Sequence, residues 1–343
     1  MSVIKPRLRV TLSAICIVLA LSASVAAETI NAAGATFPAV IYQKWFQEFH
    51  KLHSDIQINY QSLGSGAGIQ QLTQGTVDFG ASDMPMTNEQ LAKVTKYKVM
   101  HFPTVLGGLV PTYNVPGVSA ILNFTPDTLA GIYLGKITKW NDASLKKDNP
   151  GVNFPDTEIQ VVHRADGSGT TFVWTDYLSK ISPEWKTKVG AGTSVAWPTG
   201  LGGKGNEGVA GTVKQTANSI GYVELIYAAQ NKMAYGAVRN SAGAFVRADF
   251  DSVSEAAAGA AKSMPDDFRV SITNAPGKKS YPISSFTWLL IPAKFQNATK
   301  KNATQQFLKW MLTDGQKFAA GLDYAPLPKP VVDKEEKQIA LIQ

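Results

Sequence analysis

The side chains best suited to chemistry in this chain fall in three short turns of glycine, serine and threonine: Gly34-Ala35-Thr36, Gly64-Ser65-Gly66-Ala67-Gly68, and Arg164-Ala165-Asp166-Gly167-Ser168-Gly169-Thr170-Thr171. Each is placed to put hydroxyls and free backbone N–H groups at the start of a helix. The first turn of a helix has unpaired N–H donors and a partial positive end, so an anion is stabilised there. Glycine lets the backbone approach the anion closely, and Thr36, Ser65, Ser168 and Thr170 add O–H donors on free rotors. Serine and threonine are also ordinary N-caps and glycine an ordinary turn former, so one such turn says little. Three of them on one chain, together with Arg164, point to an oxyanion site. The planar fork of Arg164 suits a tetrahedral oxyanion, and Asp166 is placed to hold it, as it would also be in a plain structural ion pair.

Asp83 is the odd member of this set, because a carboxylate beside a bound anion ordinarily repels it. The residue makes sense if the anion still carries a proton: a mono- or dihydrogen phosphate can donate a hydrogen bond to a carboxylate, whereas fully ionised sulfate has nothing to donate. A buried acceptor left unmatched is costly, so such a mismatch discriminates strongly. The competing use of Asp83 is as N-cap of the helix expected from about Asn88.

Other chemistries fit poorly. Gly203-Lys204-Gly205-Asn206-Glu207-Gly208 satisfies G-x-G-x-x-G, but it follows Trp197-Pro198 and further glycines rather than a clear strand; a loop or helix start near a cleft rim is the expected use. A P-loop would need serine or threonine after Lys204. Ser65 and Ser168 lack the G-x-S-x-G spacing, since Leu63 and Asp166 occupy the glycine positions. Of the four histidines, His163 adjoins Arg164, a poor neighbour for a base, and His50 and His53 share a helix face without a third metal ligand. No nucleophile, metal or cofactor is expected.

The elements that must position these turns follow one grammar. Thr29 to Ala33 leads through the first turn into Val40, Ile41, Trp45, Phe46 and Phe49 at helical spacing, with Pro38 in the opening turn. Ile56 to Tyr60 alternates like a strand and leads through the second turn into a helix from Ile69; Val77 to Asp83 reads as a short buried strand ending in a polar corner. Strand and helix in alternation predict an α/β layer structure with mainly parallel sheets, which bind ligands at the carboxyl ends of their strands. The apolar runs Phe102 to Val110 and Ile283 to Ile291 read as the chain leaving a first domain and returning to it. The expected division is therefore a leader over 1–27, a discontinuous lobe I over 28–110 plus 281–343, and lobe II over 111–280. Ser252 to Ser263 is expected to be helical, and Trp45, Trp140, Trp174, Tyr133 and Tyr177 are expected in the core.

Lys5, Arg7 and Arg9, the apolar run Val10 to Leu21 and the small residues Val25-Ala26-Ala27 have the pattern of a cleavable export signal, too short to span a bilayer. Cys16, the single cysteine, falls inside it and follows Ile15 rather than the small residue a lipoprotein site needs. Export without cysteine suits a bacterial periplasm, and the roughly 316 remaining residues suit two domains. Three of the seven net positive charges belong to the leader. The remaining bias attracts small anions and falls well short of a nucleic-acid-binding stripe.

Five ordered motifs then carry a resemblance over essentially the whole mature chain: Ala33-Gly34-Ala35-Thr36-Phe37-Pro38, Val77 to Asp83, Arg164 to Thr170, Trp197 to Asn206, and Ile220-Gly221-Tyr222-Val223-Glu224. They are similar to those of the phosphate-binding proteins of bacterial phosphate ABC importers. The resemblance implies a two-lobed periplasmic-binding-protein fold with two hinge crossings, a monomer that closes over dehydrated phosphate and passes it to membrane permease subunits. It assigns ligand contact to Thr36, Ser65, Asp83, Arg164, Ser168, Gly169 and Thr170, with Asp166 orienting Arg164. One departure is Gly64-Ser65-Gly66-Ala67-Gly68 where relatives often have Gly-Ser-Ser-Gly-Gly. From the residues alone, a binder of sulfate, molybdate or another oxyanion, and a phosphomonoesterase, stay open as alternatives.

Overall fold

The computed structural model describes residues 27–343; all of the expected leader except Ala27 lies outside the described residues. The strands are β1 (Glu28–Gly34), β2 (Ile56–Ser62), β3 (Phe79–Ser82), β4 (Val99–Asn114), β5 (Asn123–Phe124), β6 (Gln160–Arg164), β7 (Leu201–Gly203), β8 (Ser219–Glu224), β9 (Ala234–Tyr235), β10 (Ala237–Arg239), β11 (Phe245–Val246) and β12 (Ser284–Pro292). The main sheet runs in the order β2-β1-β3-β12-β4-β8-β6-β7, with β9 also on β4, while β11-β10-β5 form a small separate sheet.

The alternation expected from the sequence is present at both ends of the main sheet. β2, β1 and β3 are parallel, as are β8, β6 and β7. The centre differs from the expectation of mainly parallel sheets: β12 runs antiparallel to β3 and β4, and β4 antiparallel to β8. The reason is that a chain leaving one half of the sheet and later returning must cross in opposite directions. β4 makes the join itself, pairing with β12 from Val99 to Gly108 and with β8 from Leu109 to Asn114. It is longer than the apolar run suggested, because its pairing continues past the switch at Gly108. Leu109 is the meeting point of the two crossings: its N–H donates to the Ile283 carbonyl at 2.8 Å and its carbonyl accepts from the Tyr281 hydroxyl at 2.6 Å.

Every residue of β12 and nearly every residue of β4 is buried, as expected of strands covered by helices on both faces. The helices Ala39–Leu52 and Ser65–Gln74 follow β1 and β2, and the helices Gly169–Ile181 and Gly205–Gln215 follow β6 and β7. Trp45, Trp140, Trp174, Tyr133 and Tyr177 are fully buried. The alanine-rich segment is the helix Phe250–Lys262, closed at its start by an Asp249–Ser252 capping box. Residues 264–273 act as a strap. Its first part packs on β12 and the C-terminal helix, with the Phe268 carbonyl accepting from Trp288 Nε1 and Lys334 reaching the Met264 carbonyl. Its last part is held by Asp176, which accepts from both the Ser271 and Thr273 hydroxyls.

Candidate functional site

Five strand ends converge on one buried spot. Thr36 follows β1, Ser65 follows β2, Asp83 follows β3, Arg164 ends β6 and leads to Ser168–Thr170, and Asn206 follows β7. Gly34 permits this approach: its φ is +153° and a Cβ there would fall 2.0 Å from the Ala81 carbonyl oxygen. Thr36, Ser65, Asp83, Arg164, Ser168 and Thr170 are each at most 3% exposed. The two halves of the sheet therefore meet with their helix starts shut against each other.

The contacts between the halves are direct. Gly66 N–H donates to the Gly167 carbonyl at 2.8 Å. Thr170 Oγ1 stands 3.5 Å from Asp83 Oδ2, and Asn206 Nδ2 donates to Thr36 Oγ1 at 2.8 Å and to Thr170 Oγ1 at 3.1 Å. Ser65 Oγ accepts from the Asp83 N–H at 3.1 Å. Gly169 packs so tightly that a Cβ would fall 2.4 Å from Ser65 Oγ and 2.7 Å from the Asp83 backbone nitrogen. Ser168 caps its helix, its Oγ accepting from Thr171 N–H at 3.0 Å. The hydroxyl-bearing turns proposed from sequence are thus gathered at the start of the helix Gly169–Ile181.

Arg164 and Asp166 pair as expected, Nε to Oδ1 at 2.8 Å and Nη2 to Oδ2 at 2.5 Å. The third nitrogen of the fork, Arg164 Nη1, is buried without a partner among the described residues. An unmatched guanidinium donor in the interior is costly and marks a place for an acceptor. Burial by itself would lift the Asp166 carboxyl, but the Arg164 guanidinium, helped by the Gly205 N–H at 3.0 Å, holds it below its usual value. Arg164 is anchored through its backbone too, its N–H donating to the Tyr222 hydroxyl at 3.2 Å.

Asp83 does not cap the following helix. Thr87 does, in a capping box with Gln90. Asp83 instead turns inward, where burial pushes its carboxyl up to about 7, against the opposing pull of the Thr287 hydroxyl, Arg164, Thr170 and Ser65. A carboxylate here shares a proton readily, which suits an acceptor for a hydrogen-bearing anion.

Two participants were not expected. Thr287 on β12 donates to Asp83 Oδ1 at 2.8 Å. Nothing in the apolar run Ile283 to Ile291 marks it except that it is a polar residue inside a buried strand. Asn206 lies in the stretch expected to be a loop or helix start near a cleft rim; the stretch does start a helix, but Asn206 is fully buried rather than at a rim. A strand is present where the sequence showed no clear one: β7 includes Gly202 and Gly203, which makes Lys204–Gly205 a strand-to-helix turn. His163 stacks on Trp197 with ring centroids 4.8 Å apart, its Nδ1 facing the Arg164 carbonyl, and His50 Nδ1 faces the Ile56 carbonyl. No group of three or more metal-ligating side chains occurs among the described residues.

Residues 22–315 match the PBP superfamily domain. A phosphate-binding protein PstS of Xylella fastidiosa is 47% identical over 308 residues, covering 90% of this chain and 84% of that protein. The chain belongs to the PstS family of phosphate-binding proteins. The family reaches into the archaea, where a PstS of Methanocaldococcus jannaschii is 39% identical over 88% of this chain and 83% of its own length. Among solved structures, a high-affinity periplasmic phosphate-binding protein bound with phosphate, PfluDING, aligns over 90% of this chain and 93% of its own, with a TM-score of 0.72 at 20% identity. That likeness establishes a shared fold.

Proposed function

We propose that this PstS-family chain binds inorganic phosphate in the periplasm, after export on the leader 1–27, and delivers it to the permease subunits of a phosphate ABC importer. Its lobes, 28–110 with 281–343 and 111–280, turn about the crossings at Leu109 and 281–284 and close on the ligand. Thr36, Ser65, Ser168 and Thr170 donate hydroxyls, Gly169 and its neighbours donate backbone N–H groups, and Arg164 donates through its free Nη1 while Asp166 steadies the fork. Closure replaces the hydration of the anion with fixed donors. The protein works as a monomer, performs no chemistry on the ligand and needs no cofactor.

The observation that carries this reading is the Asp83 carboxylate buried among hydroxyl donors beside an unpaired guanidinium N–H. A site for fully ionised sulfate or molybdate gains nothing from such an acceptor, whereas a hydrogen phosphate donates to it. Isothermal titration of ligand-stripped protein with phosphate, sulfate and molybdate at neutral pH tests it. Phosphate is expected to bind in the micromolar range or tighter and the other two not to compete; equal affinity for sulfate would refute the assignment.

A further inference from the structure

The Asn206 amide nitrogen touches a site hydroxyl from each half of the sheet, Thr36 following β1 and Thr170 following β6. Its carboxamide oxygen accepts from the Glu224 backbone N–H at 3.0 Å. An N–H donor must face oxygen, so this contact fixes the amide orientation and turns the NH2 toward the two threonines. The Asn206 backbone N–H adds a second, longer approach to Thr36 Oγ1, at 3.3 Å. Asn206 is fully buried, and every polar atom of its side chain is engaged.

A threonine hydroxyl can donate or accept. When an amide NH2 donates to its oxygen, the hydroxyl proton must point elsewhere. Asn206 therefore leaves both threonine protons directed away from itself, that of Thr170 toward Asp83 Oδ2 at 3.5 Å. We propose that Asn206 is a positioning residue and closing latch: it makes Thr36 and Thr170 obligate donors toward the anion, and its Thr36 contact forms only when the halves shut. This inference rests on the phosphate-binding reading above and deepens it. Asn206 to Thr170 lies within one lobe and persists in the open form; Asn206 to Thr36 spans the lobes and is made on closure. Loss of the latch should then act on ligand escape more than on capture.

The test is stopped-flow phosphate binding to purified wild-type, Asn206→Ala, Asn206→Asp, Thr36→Val and Thr36→Val/Asn206→Ala proteins, with phosphate as the probe and ligand-free melting as the folding control. Asn206→Asp keeps the shape and the acceptor for Glu224 N–H but turns an acceptor on the threonines, so their protons are drawn away from the anion; it remains informative even where the alanine variant fails to fold. Phosphate release is expected to quicken by about ten-fold or more in Asn206→Ala, with association changed by less than about three-fold, and more severely in Asn206→Asp. In the double variant the Asn206 effect should shrink, because it acts through Thr36. Release rates like wild type in a folded Asn206→Ala or Asn206→Asp protein, or full additivity with Thr36→Val, would overturn the latch while leaving phosphate binding itself intact. Absence of phosphate binding in the wild type would instead remove the reading on which it rests.

Discussion

Thr287 Oγ1 donates to Asp83 Oδ1 at 2.8 Å, and both residues are buried where the returning strand passes the end of β3. Trp288 pairs with Ser82 in an antiparallel register, which brings the preceding residue of β12, Thr287, level with Asp83, and the β12–β4 register slips between Thr287 and Trp288. The extra residue of the slip is Thr104 on β4, whose hydroxyl donates to the Thr287 carbonyl at 3.3 Å. One carboxylate oxygen, Oδ1, is occupied by the Thr287 hydroxyl, and the other, Oδ2, faces Thr170.

This arrangement makes Asp83→Asn a test of selectivity rather than of fold. The amide is nearly isosteric, so closure should survive, but where its NH2 faces the ligand it offers a donor to the anion instead of an acceptor. The preference for phosphate over sulfate is expected to fall by at least about ten-fold, as befits replacing a matched polar contact in a desolvated site. Competition titration with sulfate measures it, and an unchanged ratio would remove Asp83 from the specificity mechanism.

Arg164→Ala removes the buried guanidinium and strands Asp166, which also loses the partner that holds its carboxyl below the usual range. Affinity should drop by about 2 kcal/mol or more, because a charge-assisted donor is lost from a water-excluded cleft. Calorimetric titration reads the loss directly. Binding like wild type would mean that the anion sits elsewhere.

Gly169→Ala tests closure separately from ligand chemistry. The added Cβ would collide with Ser65 Oγ and with the Asp83 backbone, both on the opposite half of the sheet. The open form that the proposed closure requires separates these groups, so melting of stripped protein should be nearly unchanged while phosphate affinity falls by roughly ten-fold or more through loss of the closed population. Small-angle scattering with saturating phosphate should show the variant more extended than wild type; identical closed profiles would exclude the clash.

Much of this site was legible in the sequence, and for a definite reason. Thr36, Ser65, Ser168 and Thr170 belong to local turns, and a turn that ends a strand and starts a helix is written in adjacent residues. The alternation of β1, β2 and β3 with helices was legible on the same ground. The antiparallel centre and the roles of Thr287 and Asn206 were not, because they depend on which strands become neighbours across more than a hundred residues. Asn206 shows the limit clearly: its partners, Thr36 and Glu224, are 170 and 18 residues away. Glu335 is a further case of a residue whose place depends on tertiary packing: it lies fully buried on the C-terminal helix.

Glu335 gives a prediction about stability that is independent of the ligand. It belongs to the helix Lys329–Ile339, both its carboxylate oxygens are buried without a partner, and burial raises its carboxyl well above the ordinary range. Since the folded value is raised, the native state holds this proton more tightly than the unfolded chain does. The contribution to stability is fully present below the unfolded carboxylate range and is lost progressively as pH rises from there toward the folded value. Glu335→Gln fills the same volume without a proton to lose. The variant should melt close to wild type near pH 4 and above it at pH 8, by about 1 kcal/mol or more, since each unit by which a group is displaced is worth about 1.4 kcal/mol. Thermal melts of the two proteins at pH 4, 6 and 8 decide the matter. A difference that stays constant across that range would mean that Glu335 does not titrate between the folded and unfolded states as its burial requires.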